Sequence, residues 1–369
     1  MAGVDLFGNL ERILVVKAAG IGDLILAVPA LRALRHRYPD ALIDLLVTPK
    51  CADLFRNCPY VDDVHVLQTQ GMTNRITGGG LLPLMKTLGR LRKQRYDMVI
   101  NLYHLFSDRG ARRMKQLCRV IGSRCVIGRN TDGRGSFYDA WIVDSWDAPP
   151  LADRHEVDIN LDVVRMLGAV DPGQGLEFWV TEADRLALKA IPGIRENAGE
   201  GALQIVLNPA SDAVYKRWPV AYFAELGDLL VDRLSARVLI VGAEGECALA
   251  ARLAAAMKRP VIDLCGKLNL IDLAALLQES DLMVTNDTGP MHLSAAVGTP
   301  VIALFGPTRP SRYGPYGPEG FHLSVQGRAS CSPCTRFDCV PRTCMNDITP
   351  RQVLEKVEFR LTPMLEPSL

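Results

Sequence analysis

Short aliphatic runs alternate along this chain with longer stretches in which apolar residues return every three or four positions. Ile13 to Val16 is β-branched and strand-like, and Leu24, Ala27, Leu31 and Leu34 then share one side of a helix. The pattern predicts strands over 12–17, 41–47, 63–67, 97–102 and 124–127, with helices near 22–37, 81–93, 108–120 and 155–168. A second series opens with a strand at 203–207 and a helix from Pro219. Strands at 237–241, 260–264, 281–285 and 300–304 follow, with a helix from Glu246 between the first two. Residues 347–361 read as a last helix, capped at Thr349 and Pro350. Alternation of this kind gives parallel sheets with helices on both faces. The glycine- and threonine-rich stretch 68–80 reads as a mobile loop. Pro172, Gly173, Gly175 and Pro192-Gly193 mark the connection between two domains.

Bulk properties narrow the class. With 369 residues, a net charge of +1 and 22% charged residues, the chain has the profile of a soluble two-domain protein. The N-terminus lacks the layout of a signal peptide, and no apolar run is long enough to span a bilayer. A cytoplasmic location follows, with the ten cysteines as thiols or metal ligands, not disulfides. Between Lys86 and Arg129 stand twelve basic residues, opposed only by Asp97 and Asp108. Taken one by one they read as solvated helix faces; together they point to an anionic partner, a membrane surface or a phosphorylated acceptor. Nucleic acid is disfavoured, because aromatic residues make up only 6% and do not interleave with the charges.

Two turns carry candidate chemistry. In Asp281–His292 a short strand ends in Asp287, Thr288 and Gly289, and a helix opens at Pro290 with His292 in its first turn. A helix N-terminus with a small glycine and a hydroxyl is a phosphate-type site; the same residues also fit a capped helix with a core histidine. After strand 12–17 come Gly20, Gly22 and Asp23, close to a dinucleotide fingerprint. Ile25 occupies the place of its third glycine, and Asp44 lies inside a strand where a ribose-binding acid should follow one. A nicotinamide-dependent dehydrogenase is therefore disfavoured. The two turns take corresponding places in the two halves, with ligands expected in a cleft between strand carboxyl ends. This is the GT-B layout, two Rossmann-like domains facing across a cleft. The expected domains are 1–178 on the acceptor side and 179–345 for the donor, with the terminal helix 346–369 packing back on the first.

Near the C-terminus stand Cys331, Cys334, Cys339 and Cys344. Their spacing leaves open a structural zinc or iron–sulfur site, disulfides, or free thiols.

Several stretches resemble glycosyltransferase family 9, the ADP-heptose:lipopolysaccharide heptosyltransferases. They are ILVVKAAGIGDLILAVPALRALR from Ile13, PDALIDLLV from Pro39, HEVDINLDVVRMLG from His155, LNPASDAVYKRWPVAYF from Leu207, VGAEGE from Val241 and DLMVTNDTGPMHLSAAVGTPVIALFGP from Asp281. The resemblance implies an inverting transfer in which Asp23 is the base, the role that an ionised carboxylate beside a helix N-terminus suits. It implies that Lys216 offsets charge on the leaving diphosphate and that Ser211 faces the phosphates. Ala210 stands where some members carry a hydroxyl. Glu246 would bind the ribose hydroxyls, with Glu244 as a close competitor. Thr288 and Gly289 would face the diphosphate, Asp287 the transferred sugar, and His292 would help neutralise phosphate. Ala18-Ala19 replace more polar residues, which puts the sugar or acceptor in question. No acid pair is spaced to hold a divalent cation, and none is needed for catalysis. The implied partners are an ADP-heptose-type donor and a lipid-linked anionic saccharide acceptor, reached by peripheral contact with the inner membrane. A nucleotide-sugar epimerase or hydrolase of the same fold, or a non-catalytic sugar-nucleotide-binding module, are the alternatives.

Overall fold

The computed structural model describes residues 10–67, 81–146, 148–173, 175–194, 203–334 and 338–365. Two compact units result, dividing between Gln174 and Gly175, inside the connection that the prolines and glycines mark. The stretch 68–80 lies outside the described residues.

The first unit holds strands β1 (Arg12–Val16), β2 (Leu42–Val47), β3 (Asp63–Val66), β4 (Met98–Asn101), β5 (Cys125–Thr131) and β6 (Ala140–Asp144). Its helices are α1 (Ile21–Ile25), α2 (Val28–Arg37), α3 (Leu81–Lys93), α4 (Asp108–Ile121) and α5 (Glu156–Arg165). All strands run parallel, in the order β3-β2-β1-β4-β5-β6. The helix expected over 22–37 is two helices, with Leu26 and Ala27 between them and Pro29 in the first turn of α2. A proline ring cannot continue a helix from the turn before it, so the chain breaks and restarts there.

The second unit repeats the plan. Its strands are β7 (Gln204–Asn208), β8 (Arg237–Ile240), β9 (Ile262–Asp263), β10 (Leu282–Asn286), β11 (Val301–Phe305) and β12 (Leu323–Gln326). They run parallel in the order β12-β11-β10-β7-β8-β9, the same winding as the first sheet read from the other edge. Its helices are α6 (Glu182–Leu188), α7 (Val220–Leu234), α8 (Cys247–Ala256), α9 (Leu270–Gln278), α10 (Gly289–Ala296), α11 (Pro310–Tyr313), α12 (Thr343–Asn346) and α13 (Pro350–Leu365). In each sheet the order reverses beside the first strand, at β1/β4 and at β7/β10. An open parallel sheet binds its ligands outside the carboxyl ends of the strands at that point.

This topology corrects one expectation. The Gly20–Asp23 turn follows the first strand of its sheet, whereas the Asp287–His292 turn follows the fourth strand of its own. Each borders the reversal of its sheet, but from opposite sides of it.

The terminal helix, expected to pack back on the first domain, buries Val353, Leu354, Val357 and Leu361 in the second unit's own core, beside Trp218, Phe223 and Leu230. The spacing of those residues makes one apolar stripe that matches α7. The Trp218 indole N–H donates to the Ile348 carbonyl at 2.8 Å, and Thr349 and Gln352 close a reciprocal cap at the helix start. Leu361 is fully buried. Leu361→Ala should cost about 2–5 kcal/mol. Urea unfolding should show this as a lower midpoint at unchanged slope, and an unmoved midpoint would contradict the packing.

Candidate active site

In the second unit, three loops meet at the carboxyl edge of the sheet around Asp287. Its carboxylate accepts from the Lys216 ammonium at 2.7 Å and from the Thr308 hydroxyl at 2.6 Å. Its own carbonyl accepts from the buried Ser211 hydroxyl at 3.4 Å. Lys216 comes from the loop after β7, Asp287 from the end of β10 and Thr308 from the end of β11. Asn286, just before, ties the same loops from beneath. Its side chain accepts from the Trp218 N–H at 2.9 Å and donates to the Pro209 carbonyl at 2.9 Å. Arg217 donates to the Ser211 carbonyl at 2.8 Å, which fixes the bend that presents Lys216.

Thr288 is the residue before α10, in extended conformation, and its side chain makes no capping bond to the helix. The simple reading of this turn as a side-chain-capped helix is therefore not realised. Pro290 brings no N–H, and the Met291 N–H donates to the Thr288 carbonyl at 3.1 Å, so the backbone donor of the first turn is Gly289. His292 is buried on the helix side of the turn.

Glu246 and Glu244 lie in a short turn after β8. Glu244 is exposed. Glu246 is half-buried and accepts from the Ala243 N–H at 2.8 Å through Oε2. The position expected to bind a ribose thus already holds its own loop with one carboxylate oxygen.

In the first unit, Gly20 is exposed and extended, and Asp23 sits partly exposed in the one-turn helix α1. Gly22 accepts from the Leu26 N–H at 2.9 Å. Among the described residues, the Asp23 carboxylate has no hydrogen-bond or ion-pair partner. It stands close enough to Tyr103, at the end of β4, for its charge to act there. Burial pushes the Tyr103 hydroxyl up to about 12, and Asp23 pushes the same way. Asp44, by contrast, is buried under the sheet. It accepts from the Tyr96 hydroxyl at 2.5 Å and pairs with His65 Nε2 at 3.1 Å, so it serves the core and not a ribose.

A buried charge cluster in the first unit was not anticipated. Glu156, wholly inaccessible at the start of α5, takes Lys17 at 2.9 Å, Arg129 at 2.5 Å and His104 Nε2 at 2.9 Å. Arg129 also pairs with Asp144 at 2.8 Å. In sequence Glu156 is an ordinary first-turn acid, and Arg129 was counted with the basic surface; burial removes it from that group. Of the other eleven basic residues, ten are exposed and Arg113 is half-buried. Burial pushes the Glu156 carboxyl up. The charges of Arg129, His104 and Lys17 outweigh this and hold it well below the usual carboxylate range.

All ten cysteines are free thiols. Cys331, Cys334, Cys339 and Cys344 line one cavity of about 360 Å3 with Tyr215, Pro307 and Arg342. Among the described residues, no three His, Cys, Asp or Glu side chains converge as metal ligands. The donor set suits a soft metal, but its geometry is not that of a formed cage.

Two parallel Rossmann-like sheets, with polar loops gathered at the carboxyl ends of their central strands, have the architecture of the GT-B class. Comparison with known proteins gives the same answer. The family model "Glycosyltransferase family 9 (heptosyltransferase)" matches residues 84–343. Lipopolysaccharide heptosyltransferase 3 of Escherichia coli K12 is 28% identical over 78% of this chain and 80% of its own. Lipopolysaccharide heptosyltransferase 1 of Pseudomonas aeruginosa is 28% identical over 89% and 87%. A family 9 glycosyl transferase structure from Veillonella parvula superposes with a TM-score of 0.78, at 24% identity, over 98% of this chain and 99% of that one. The E. coli ADP-heptose heptosyltransferase II structure gives 0.71, at 22% identity, over 96% and 100%. The chain belongs to glycosyltransferase family 9 and is a glycosyltransferase of the heptosyltransferase type. No helix among the described residues is long and apolar enough to cross a membrane.

The depressed Glu156 carboxyl has a consequence for stability. The unfolded group titrates near its ordinary value of 4.5 and the folded one well below it, so its contribution is complete above that value and fades as pH falls beneath it. Glu156→Gln leaves the buried Lys17 ammonium without its carboxylate and Arg129 with Asp144 alone, and should cost about 3–5 kcal/mol near neutral pH. In urea titrations over a pH series, the gap to wild type should narrow below 4.5. A gap that stays constant well below that value would contradict the assignment.

Proposed function

We propose that this enzyme moves a heptose, or a related sugar, from an ADP-sugar to a hydroxyl of a lipid-linked anionic saccharide of the lipopolysaccharide-core type, with inversion at the anomeric carbon. The observation that carries the reading is the Asp287 junction. One carboxylate at the carboxyl edge of the second sheet gathers a lysine and a threonine hydroxyl beside the opening of α10. A diphosphate needs positive charge and hydrogen-bond donors that gain strength as it departs. Lys216 supplies the charge, while the Thr288 hydroxyl and the Gly289 N–H supply donors at the positive end of the helix. Ser211 lies just behind them, and His292 lends its ring from within the same turn. Asp287 holds Lys216 in place and offers its carboxylate to the hydroxyls of the transferred sugar. The second oxygen of Glu246 is available to the ribose.

On the first unit, the unpartnered carboxylate of Asp23 takes the proton from the acceptor hydroxyl as that oxygen attacks the anomeric carbon. The carbon–oxygen bond to the diphosphate breaks on the opposite side, and the nucleoside diphosphate leaves with the electron pair. The proposal needs no divalent cation, since Lys216 and the helix opening take that part. The exposed basic residues of α3 and α4 favour an anionic acceptor and a cytoplasmic enzyme peripheral to the inner membrane.

Asp23→Ala should lower kcat by about 10²–10⁴, with donor affinity retained in calorimetry; wild-type turnover in this variant would overturn the base assignment. Lys216→Ala should lower kcat by about 10²–10³. Turnover should be insensitive to EDTA. Among ADP-, UDP- and GDP-sugars, only the ADP-sugar should raise the melting temperature. Free sugar or an epimer formed from donor alone would instead identify a hydrolase or epimerase.

A further inference from the structure

Asn160, on α5, touches both ends of the segment that carries Asp23. Its side-chain N–H donates to the Leu26 carbonyl at 3.1 Å, just past α1. Its Oδ1 accepts from the Lys17 ammonium at 3.4 Å, just before the glycine turn. Lys17 itself is almost wholly buried and donates to the Leu102 carbonyl at 2.8 Å and to Glu156 at 2.9 Å. Residues 17 and 26 are thus pinned to one helix at the two ends of the stretch that carries Asp23; between them the Ala19 carbonyl accepts from the Thr48 hydroxyl at 3.2 Å, and Leu24 and Ile25 are buried. Asp23 has no side-chain partner among the described residues, so its carboxylate is placed only by the backbone of this segment.

A buried cluster of ionisable groups is a poor device for stability, because desolvation of the ions cancels most of their attraction. Apolar residues of similar volume would hold the core as well. What ions and an amide add is direction, since each bond fixes an angle as well as a distance. General-base transfer requires heavy atoms within hydrogen-bond reach, and an error of about 1 Å in such a placement costs up to about a hundredfold in rate.

We propose that Asn160, with Lys17 and Glu156, is the positioning clamp of the catalytic loop, setting the reach of Asp23 without touching substrate. This rests on Asp23 being the base.

Asn160→Ala removes the bond to Leu26 and one of the three bonds of Lys17, while Val164→Ala removes apolar contact one turn further along the same helix, where Val164 is fully buried. The two variants are compared in the full chain by thermal melting, donor calorimetry and steady-state kinetics at a temperature where both remain folded. The clamp predicts that Asn160→Ala lowers kcat by about ten- to a hundredfold. Donor affinity and both KM values should stay within about twofold of wild type, as expected for an interaction realised only in the transition state. Val164→Ala should lower the melting temperature and leave kcat unchanged. If Asn160→Ala keeps wild-type kcat, or if both variants lose kcat in proportion to their melting temperatures, the clamp is refuted. An inactive Asp23→Asn alongside a fully active Asn160→Ala refutes the clamp alone; an active Asp23→Asn refutes the base.

Discussion

The candidate site depends on one ion pair. Lys216 and Asp287 come from loops 71 residues apart and meet at 2.7 Å, where β7 and β10 lie side by side. Only a parallel pairing of these two strands brings both carboxyl ends to the same edge, so the topology of the sheet and the existence of the site are one constraint. The pair is only partly shielded, with the lysine side chain 22% exposed and the carboxylate 8%. As a stabilising contact it is worth little. In the proposed mechanism its value is that it holds a cation ready at the opening of α10 for a departing diphosphate, where water would otherwise have to reorganise.

The first unit solves a related problem by different means. There the Asp23 carboxylate has no partner among the described residues, while a separate set of charges in the same unit is buried. Lys17, Arg129, His104, Asp144 and Glu156 are all buried, and each pairs with another member of the cluster. The contrast fits the two roles proposed for Lys216 and Asp23. A group that offsets charge on a leaving phosphate gains from being tethered, whereas a base must keep its lone pairs for the incoming proton.

Much of this was legible in the chain. Ile13–Val16, Leu203–Leu207 and Asp281–Thr285 are short apolar stretches that end in glycine or polar turns, and their alternation with helical stretches marks them as strands of parallel sheets. Ser211, Lys216 and Asp287 were also readable, because they lie in stretches that resemble family 9. Thr308 escaped notice since it stands one residue past the last of these stretches. Glu156 escaped for another reason: a first-turn acid after a capping residue looks the same whether it faces water or a buried arginine. The edge strand β12 was missed because Leu323–Gln326 alternates apolar and polar residues; β6 was missed although Ala140–Val143 is a continuous apolar run. The split of the first long helix was in plain view at Pro29. The periodicity runs through the break unaltered, and periodicity cannot register a missing N–H.

If the Asp287 junction is the donor grip, its removal must be felt first in binding. Calorimetric titration of ADP into wild type and Asp287→Asn, which keeps the shape and removes the charge that anchors Lys216, tests this most directly. The account predicts a Kd weakened by about tenfold or more, the scale of one lost charge-assisted bond, with the fold intact by circular dichroism. Equal affinity in the two proteins would contradict it.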